Sequence, residues 1–457
     1  MTSTNGSVTA GDGISGPLTR RRLLAAGGAG LLVGTGATPG WARAPMANPL
    51  ATADQRAVDR IALAVRRSAG FSDSETIATA AYLASRAGLI PPSDDGRLAN
   101  AVEELVFGMI QTASNNDPFR PRVYWLGAAP HRWFGASIPG GRWAYDNPDT
   151  FYRTVPIDPS SRYRIRGRLT GAGSTDLAFS LVDDLITQTT VDYVDGLGLR
   201  SRRRPDYTVT IGPEPAHGRP NHLQTTERTV QLFIRTTISD WAIESPDLLT
   251  VERLDGGAIP APRSLRDVVE EAKLLVARGA PIFGPALLGL KTMAGPPNRL
   301  PQPGRTPGAL VTQANSFGYF NLADDQALIV TMDPSGAGYM TLPVTDPWMV
   351  GISPGRFSSS LNMAQSARGV DGRYSFVISR RDPGFINWVA TAGQRRGTIM
   401  ARWQRLRASS RPSVTTHVVD IDQVRDALPP GARYVTPAQR RRQLQARQSA
   451  YLRRFRT

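Results

Sequence analysis

The sequence predicts a mainly β protein with helical additions, an α+β chain built from two antiparallel, β-sandwich-like (jelly-roll-like) blocks. Short runs with alternating apolar and polar residues recur on both sides of one central helical pattern. The 44 Gly and 36 Pro supply the many turns that such strands require. The runs do not alternate with helices, as they do in parallel sheets. Together these three observations favour antiparallel sandwiches.

An N-terminal helical segment is predicted over residues 45–116. Ala and Leu recur there at helical spacing in three runs, 54–68, 74–87 and 98–113. Ser72, followed three positions later by Glu75, has the form of a capping box at the start of the second helix. Pro91 and Pro92 break the pattern before the third helix.

The first β block is predicted over residues 117–260 and the second over 310–420. The strands predicted in the first block are 163–169, 176–181, 207–211, 229–235 and 248–253. In the fourth of these, alternation predicts that Val230, Leu232 and Ile234 share one face. The strands predicted in the second block are 327–332, 339–342, 348–352, 374–379, 397–404 and 414–419. Between the blocks, 261–309 is predicted as a helix over 264–278 and a Pro/Gly-rich linker over 279–309.

The last segment, 421–457, is predicted to hold C-terminal helices and a basic tail that is helical over 437–456. Its apolar positions Leu444, Tyr451, Leu452 and Phe455 fall on one helix face, and arginines cover much of the rest. We expect this face to dock on the body of the protein. The alternative is attachment to anionic lipid or to a polyphosphate polymer of the cell wall.

The formal net charge of +16 is concentrated near the two ends of the sequence. Residues 1–44 carry +3 and residues 433–457 carry +8, which leaves +5 for the nearly 390 residues between them. A nucleic-acid binder has its basic residues gathered along one groove or face of the folded body. The distribution therefore predicts no nucleic-acid partner.

Residues 1–44 predict a twin-arginine export signal. Thr19-Arg20-Arg21-Arg22-Leu23-Leu24 has the hydroxyl residue, the arginine pair Arg20 and Arg21, and the apolar positions of that signal. A modestly apolar, Gly-rich stretch follows, and Ala42-Arg43-Ala44 has the small-x-small form of a cleavage site. We therefore expect the twin-arginine translocase as a partner and a location in the periplasm, in the cell envelope or outside the cell.

Two further features of the composition bear on that location. No later segment reaches 18 unbroken apolar residues, so no transmembrane span beyond the signal is expected. The chain has no Cys, which excludes disulfides, thiolate metal sites and a Cys nucleophile. An exported chain without disulfides must be held together by its core.

Three groups of motifs, in this order, resemble the exported or secreted bacterial proteins grouped as domain of unknown function 1214. The first is Arg142–Arg153, read RWAYDNPDTFYR, with Ile157-Asp158 and Tyr163–Gly167 after it. The second is Ser239-Asp240-Trp241 with Glu244 and then 249–254. The third is Ser359–Asn362, Gln365, Asp371-Gly372 and 382–388, read DPGFINW. The resemblance spans about 115–455; it implies mainly β architecture and supplies no catalytic residues.

The main functional hypothesis is an exported envelope protein that binds a small molecule or a cell-envelope glycan through loops rich in aromatic, amide and charged residues. Such groups suit sugar or carboxylate recognition, with Arg153 as a bidentate donor. The candidate ligand-binding residues are Tyr145, Asp146, Asn147, Tyr152, Arg153, Asn362, Asp382, Asn387 and Trp388. The turn-forming Asn-Pro and Asp-Pro-Gly chemistry of these loops explains the same residues without a ligand.

An envelope hydrolase that acts on a glycan or an ester is the first alternative, and the sequence leaves open whether the protein is an enzyme. Gly351-Ile352-Ser353-Pro354-Gly355 matches the nucleophile-elbow pattern, and Asp382 and His417 follow in the order used by that hydrolase fold. Pro354 has no backbone N–H, however, and the oxyanion hole takes that donor from the residue after the nucleophile. A structural or assembly component of the envelope is the second alternative.

The sequence identifies no cofactor, and we predict no metal site. His217 and His222, with Glu214 and Glu227 nearby, would suit zinc by residue type. The Gly and Pro between the two histidines place them in a loop rather than on one helix face, and solvated loop histidines are the commoner arrangement.

Overall fold

The computed structural model describes residues 48–68, 70–85, 96–256, 258–306 and 308–457. Met46–Thr457 forms one compact unit. The export signal predicted over 1–44, with Arg20 and Arg21, lies outside the described residues. The fold is mainly antiparallel β with several helices, so the predicted fold class is confirmed.

Three helices precede the first β block, as the Ala and Leu spacing predicted. They are α1 (Ala53–Ser68), α2 (Ser72–Ser85) and α3 (Leu98–Ser114). From Leu105 to Ser114 every residue of α3 is buried, because α1, α2, the long helix that begins at Leu265 and the first β block surround it. These helices form much of the largest apolar core among the described residues, the main core, which also includes Trp125, Phe283 and Trp348.

The first β block is a sandwich of two sheets, with the small hairpin β2–β3 beside it. Its strands are β1 (Tyr124–Leu126), β2 (His131–Trp133), β3 (Ala136–Ile138), β4 (Thr150–Pro156), β5 (Tyr163–Arg168), β6 (Asp176–Val182), β7 (Thr190–Asp195), β8 (Asp206–Gly212), β9 (His222–Gln224), β10 (Gln231–Thr237) and β11 (Leu248–Arg253). One sheet has the order β1-β4-β10-β6-β7 and the other β11-β5-β8-β9. Leu232 and Ile234, predicted to share a face, pack in the core between them.

A long helix joins the two blocks. It begins with a capping box between Ser264 and Asp267 and runs as α4 (Leu265–Pro281) into a π-helix (Ile282–Thr292). The sequence predicted that the helix would end at Arg278, because Pro281 and Pro285 follow. Prolines remove backbone donors, yet the helix continues past both and changes from α to π geometry at Ile282. Phe283 and Leu288 are buried in the main core and hold this extension in place.

The joined helix Leu265–Thr292 is long and apolar enough to cross a membrane by length and composition alone. Val268, Leu275 and Val276 of this helix are buried in the main core. Packing of this kind is typical of a core helix, which passes the same test. The absence of a membrane span beyond the signal stays a prediction.

The second β block is also a sandwich. Its strands are β12 (Ala314–Asn321), β13 (Gln326–Asp333), β14 (Tyr339–Pro343), β15 (Ser360–Asn362), β16 (Tyr374–Ser379), β17 (Trp388–Ala390), β18 (Arg396–Gln404) and β19 (Ser413–Asp420). The two sheets have the orders β12-β18-β14-β15 and β17-β16-β13-β19. Leu342, Phe376, Ile399 and Trp403 are among the residues of the core between them.

The second block differs from the sequence prediction in one predicted strand that is absent and in three strands that were not predicted. Residues 348–352, predicted as a strand, form a loop in which only Gly351 makes an isolated bridge, to Thr345. Trp348 and Met349 of this loop are buried in the main core, so their apolar character reflects burial of the loop. Strands β12, β15 and β17 were not predicted. In β12 the apolar residues are mixed with Asn, Ser and Gly, and β15 and β17 have only three residues each.

The chain ends in the short helix α5 (Val424–Ala427) and the basic helix α6 (Pro437–Leu452), which docks on the body. Tyr451 is buried and the Phe455 ring stacks 4.6 Å from His131, as the docking prediction required. Leu452, predicted on the same face, is 49% exposed. The helix turns it outward because Tyr451 and Phe455, four residues apart, define the contact face.

Arginines provide most of the polar contacts that dock this segment. Arg440 donates to Asp382 (Nε to Oδ2, 2.8 Å), and Arg447 donates to Ser360 Oγ at 2.8 Å. Beyond α6, Arg454 is buried and donates to the Pro148 carbonyl at 2.8 Å. The segment is therefore fixed by directional hydrogen bonds as well as by its aromatic residues.

Candidate functional site

A cavity of about 450 Å³, open to solvent, lies where the two β blocks meet the π-helix. This volume is within the range of small-molecule sites. Strands β4 and β10 form one wall, β12 and β18 form another, and the π-helix covers a third side. The aromatic residues that line the cavity are Trp143, Tyr145, Tyr152, Phe233, Phe283 and Phe317.

Strand alternation explains which side chains reach the cavity. In β10, Leu232 and Ile234 face the core of the first block, so Phe233 and Arg235 face the cavity. In β18, Ile399, Ala401 and Trp403 face the core of the second block, and Met400, Arg402 and Gln404 line the cavity. Each of these strands is therefore shared by a sandwich core and the cavity wall.

A hydrogen-bonded amide chain joins the two walls. Thr237 of β10 donates from Oγ1 to Gln404 Oε1 of β18 at 3.3 Å. Gln404 Nε2 in turn donates to Gln313 Oε1 at 2.7 Å. These buried bonds fix the distance between the blocks on one side of the cavity.

A strained turn forms part of the lining. Ala144 and Tyr145 have φ values of 52° and 71°, in the left-handed region that residues with a side chain rarely adopt. The Tyr145 hydroxyl lies 2.6 Å from Thr292 Oγ1, and its ring lies 5.5 Å from the Phe317 ring. Burial raises the pKa of the Tyr145 hydroxyl, so it stays protonated at neutral pH. Such local strain is found most often at functional sites.

Asp146 is the one carboxylate among the described lining residues. Its Oδ1 accepts a hydrogen bond from the Gly351 backbone N–H at 2.9 Å. Burial raises the pKa of this carboxyl group, and the neighbouring Arg142 opposes that shift. Arg142 also lines the cavity, but its Nε donates to Glu104 Oε2 at 2.7 Å, so its charge is already compensated.

The segment that contains Gly308 closes another side of the cavity. Thr306, Gly308, Ala309 and Leu310 line it. Gly308 has a φ of 76°, and a Cβ atom there would lie 2.4 Å from the Thr187 carbonyl oxygen. Only glycine fits this close approach. The Gly308 carbonyl accepts a hydrogen bond from Arg235 Nη2 at 2.9 Å, which attaches the segment to β10.

The structure brings three of the nine candidate residues to the cavity, namely Tyr145, Asp146 and Tyr152. The Tyr152 ring stacks on Phe233 with 5.9 Å between centroids. Asn147, next to this group in sequence, instead donates to the Tyr339 hydroxyl at 3.0 Å and links the two blocks. The Asn147 side chain also accepts from the Asp149 N–H, so it caps a turn, as the turn-forming interpretation of this loop predicted.

Arg153 points away from the cavity because it is on the opposite face of β4 from Tyr152. It donates to the Asp247 carbonyl oxygen at 2.6 Å and to Thr236 Oγ1 at 3.0 Å. Burial lowers the pKa of Arg153 to about 10. The Asp247 carboxylate next to it also binds Arg200 Nε and the Tyr207 hydroxyl.

The remaining four candidates, all in the second block, have structural contacts and do not line the cavity. Asn362 caps a short turn and donates to Asp149 Oδ2 at 3.0 Å. Asn387 donates to the carbonyl oxygens of Ala367 and Ser375. Asp382 and Trp388 both contact the docked Arg440, the first through its carboxylate and the second through its ring. These contacts explain the residues without a ligand.

The structure gives no support to the serine triad or the histidine metal site considered from the sequence. Ser353 is exposed in a turn and His417 is exposed on the edge strand β19. The Asp382 carboxylate accepts from Arg440 and the Gly384 N–H, so it does not orient a histidine. His222 contacts Thr210 Oγ1 through Nδ1 and the Glu214 carbonyl through Nε2. Within the described ranges there is no group of three His, Asp or Glu that could hold a metal ion.

Sequence reasoning missed Arg235, Arg402, Phe233, Phe317 and Lys291 of the cavity. The missed signal is an arginine within a strand whose apolar residues occupy both faces. Every residue of β10 is buried, as is every residue of β18 after the first. Arginine is seldom buried without a partner, so its presence in such a strand indicates a polar requirement.

No protein-family model matches the sequence, and no curated protein matches it. Among solved structures, the fold is similar to that of an uncharacterized protein from Burkholderia cenocepacia, with a TM-score of 0.66 and 21% identity over 81% of this chain and 100% of that one. A protein from Vibrio parahaemolyticus matches with a TM-score of 0.40 and 11% identity, covering 75% of this chain and 100% of that one. The first similarity concerns the fold alone, and the resemblance to domain of unknown function 1214 stays a prediction.

Proposed function

We propose that the protein is an exported component of the bacterial envelope that binds a small molecule in the cavity between its two β blocks. The observation that carries the proposal is the cavity itself, about 450 Å³ with a mostly apolar and aromatic lining and a few convergent polar groups. The left-handed turn at Ala144 and Tyr145 supports it, because two strained residues lie in the same wall. The cavity volume favours a small molecule over a glycan chain.

A variant that fills the cavity mouth tests this function. Ala286 is exposed on the π-helix and lines the cavity, so Ala286→Trp adds an indole at the mouth without disturbing a core. Native mass spectrometry of protein recovered from its own cell envelope is expected to show one small molecule on the wild-type chain and none on this variant. Ala446→Trp, on the exposed face of α6, is the matched control and should retain the molecule. Bare polypeptide from the wild-type chain, or equal retention by Ala286→Trp, would contradict the proposal.

Export rests on the twin-arginine motif and is tested separately. Replacing both Arg20 and Arg21 by Lys is expected to leave the protein in the cytoplasm, because the translocase recognises the arginine pair. Arg22→Lys is the matched control, since Arg22 occupies the variable position of the motif. Immunoblots of cell fractions measure the outcome. If the Arg20 and Arg21 double variant reaches the envelope as efficiently as the control, another route exports the chain.

A further inference from the structure

Two buried arginines from different β blocks line the cavity. Arg235 is on β10 of the first block and Arg402 on β18 of the second, with 7% and 4% of their surfaces exposed. Both lie on the strand face opposite to the core of their own block. Each block therefore contributes one buried cation to the lining of the same cavity.

Neither guanidinium group has its hydrogen-bonding capacity filled. Arg235 donates from Nη2 to Gly308 and lies over the Phe233 ring, 4.3 Å from its centroid. Arg402 donates from Nη2 to the Tyr145 carbonyl oxygen. The Nη1 atoms of both arginines are buried without a hydrogen-bond partner. In the described part of the chain, neither arginine forms an ion pair.

A buried cation without a counter-charge is unfavourable unless something compensates it. Arg142 shows what compensation within the chain looks like, because Glu104 binds it through two oxygens. Asp146 is near Arg402, but it accepts from Gly351, and as the one carboxylate among the described lining residues it cannot balance both arginines. The lining thus retains a surplus of positive charge, to which Lys291 adds at the rim, 5.5 Å from the Phe317 ring.

We infer that the ligand is a small organic acid, an apolar or aromatic body that carries a carboxylate or phosphate group held by Arg235 and Arg402. This inference rests on the proposed function. The planar guanidinium group matches both kinds of anion with paired N–H donors. The Tyr152 and Phe233 stack and the Phe317 ring supply the surface against which a flat apolar body packs.

Four probes with the same body and different head groups test the inference. They are naphthoate, naphthyl phosphate, naphthylmethanol and naphthylmethylamine, titrated into the full chain by isothermal calorimetry. We expect the two anions to bind and the alcohol and amine to bind at least about tenfold more weakly, since charged hydrogen bonds are roughly twice as strong as neutral ones. The better of the two anions identifies the head group as carboxylate or phosphate.

Arginine variants locate the anion. Arg402→Met and Arg235→Met are each expected to weaken anion binding about 10–100-fold, whereas Arg402→Lys keeps the charge and loses less. Arg166→Met is the matched control, because Arg166 is an exposed arginine on β5 that pairs with Glu252 outside the cavity. It should leave anion binding within about twofold of wild type. Circular dichroism confirms that each variant is folded.

The outcomes separate the inference from the proposed function on which it rests. If naphthylmethanol or the amine binds as well as the anions and Ala286→Trp abolishes that binding, the cavity binds ligands but the inference of an acid is overturned. Anion binding that survives both Arg→Met variants overturns it as well. If no probe binds, and native protein carries no molecule, the proposed function itself fails.

Discussion

Arg153 and Arg235 are neighbours on paired strands, yet their environments differ. Arg153 is directly opposite Ile234, one residue before Arg235, and both arginines are buried with their pKa lowered to about 10. Arg153 enters the sandwich core, where its Nη atoms bind Asp247 and Thr236 and only its Nε lacks an acceptor. Arg235 enters the cavity and binds one carbonyl oxygen, from Gly308.

The difference shows that burial alone does not mark a functional arginine. Burial lowers the two pKa values similarly, and both side chains remain cationic at neutral pH. What distinguishes them is whether the chain supplies the counter-charge. The Asp247 carboxylate, which pairs with Arg200, lies close enough to Arg153 to raise its pKa, whereas we infer that a bound molecule supplies the counter-charge beside Arg235. Two experiments test this distinction directly, and a third tests how burial acts on a different titratable side chain; they follow in order of decreasing expected effect.

Removing the internal counter-charge should have the largest effect. Asp247→Asn keeps the shape of the side chain but leaves Arg153 and Arg200 buried without a carboxylate, so we expect the free energy of unfolding to fall by about 3–5 kcal/mol. Urea denaturation measures it. Asp206→Asn is the control, because Asp206 and Arg168 form an exposed pair worth at most about 1 kcal/mol. Equal losses in the two variants would mean that Asp247 does not compensate the buried arginines.

Removing the two arginines should have effects of opposite sign. In the ligand-free protein, Arg235→Met is expected to raise the free energy of unfolding by roughly 1–4 kcal/mol, because an apolar side chain replaces a buried, uncompensated charge. Arg153→Met should lower it, because it leaves the buried Asp247 carboxylate with less positive charge nearby. Thermal and chemical unfolding measure both. If Arg235→Met destabilises the free protein as much as Arg153→Met, the cavity arginine is part of the structural framework.

Between pH 7 and 6, a half-buried histidine provides the smallest effect. His131 stacks on Phe455, its Nε2 has no partner, and burial lowers its pKa to about 4. The unfolded chain binds that proton near pH 6.5, so stability from this group is complete above about pH 6.5 and is lost as the pH falls towards 4.

The expected slope is about 1.4 kcal/mol per pH unit in this window. His131→Phe keeps the stacked ring and should flatten this part of the profile of unfolding free energy against pH. Parallel profiles for wild type and variant would show that His131 binds its proton equally well in both states.

The local sequence pattern predicted the type and position of many of the helices and strands. The alternation around Leu232 and Ile234 predicted both the strand and the face that enters the core. The pattern gave wrong predictions where contacts with distant parts of the chain determine the local structure. The helix continues past Pro281 and Pro285 because Phe283 and Leu288 are buried. The segment around Trp348 and Met349 has the apolar pattern of a strand, but it is a loop whose side chains are buried.

The candidate site was predictable only in part, because it is formed by strands distant in sequence. Tyr145, Asp146 and Tyr152 were selected for their chemistry and line the cavity. Asn387 and Asp382 were selected by the same criterion but have their hydrogen bonds filled by Ala367, Ser375 and Arg440. Residue type alone does not reveal whether a polar group finds a partner in its own chain.

The docking of the C-terminal segment limits how early the unit can fold during its synthesis. Asn48 donates to the carbonyl oxygens of Arg454 and Arg456, and Arg454 reaches Pro148 beside the cavity turn. These contacts join the earliest described residues to the latest ones. A nascent chain folds progressively as it leaves the ribosome. It can satisfy the side chain of Asn48 and the carbonyl of Pro148 in this way only after residues 454–456 have left the ribosome, so this unit cannot complete its fold before then.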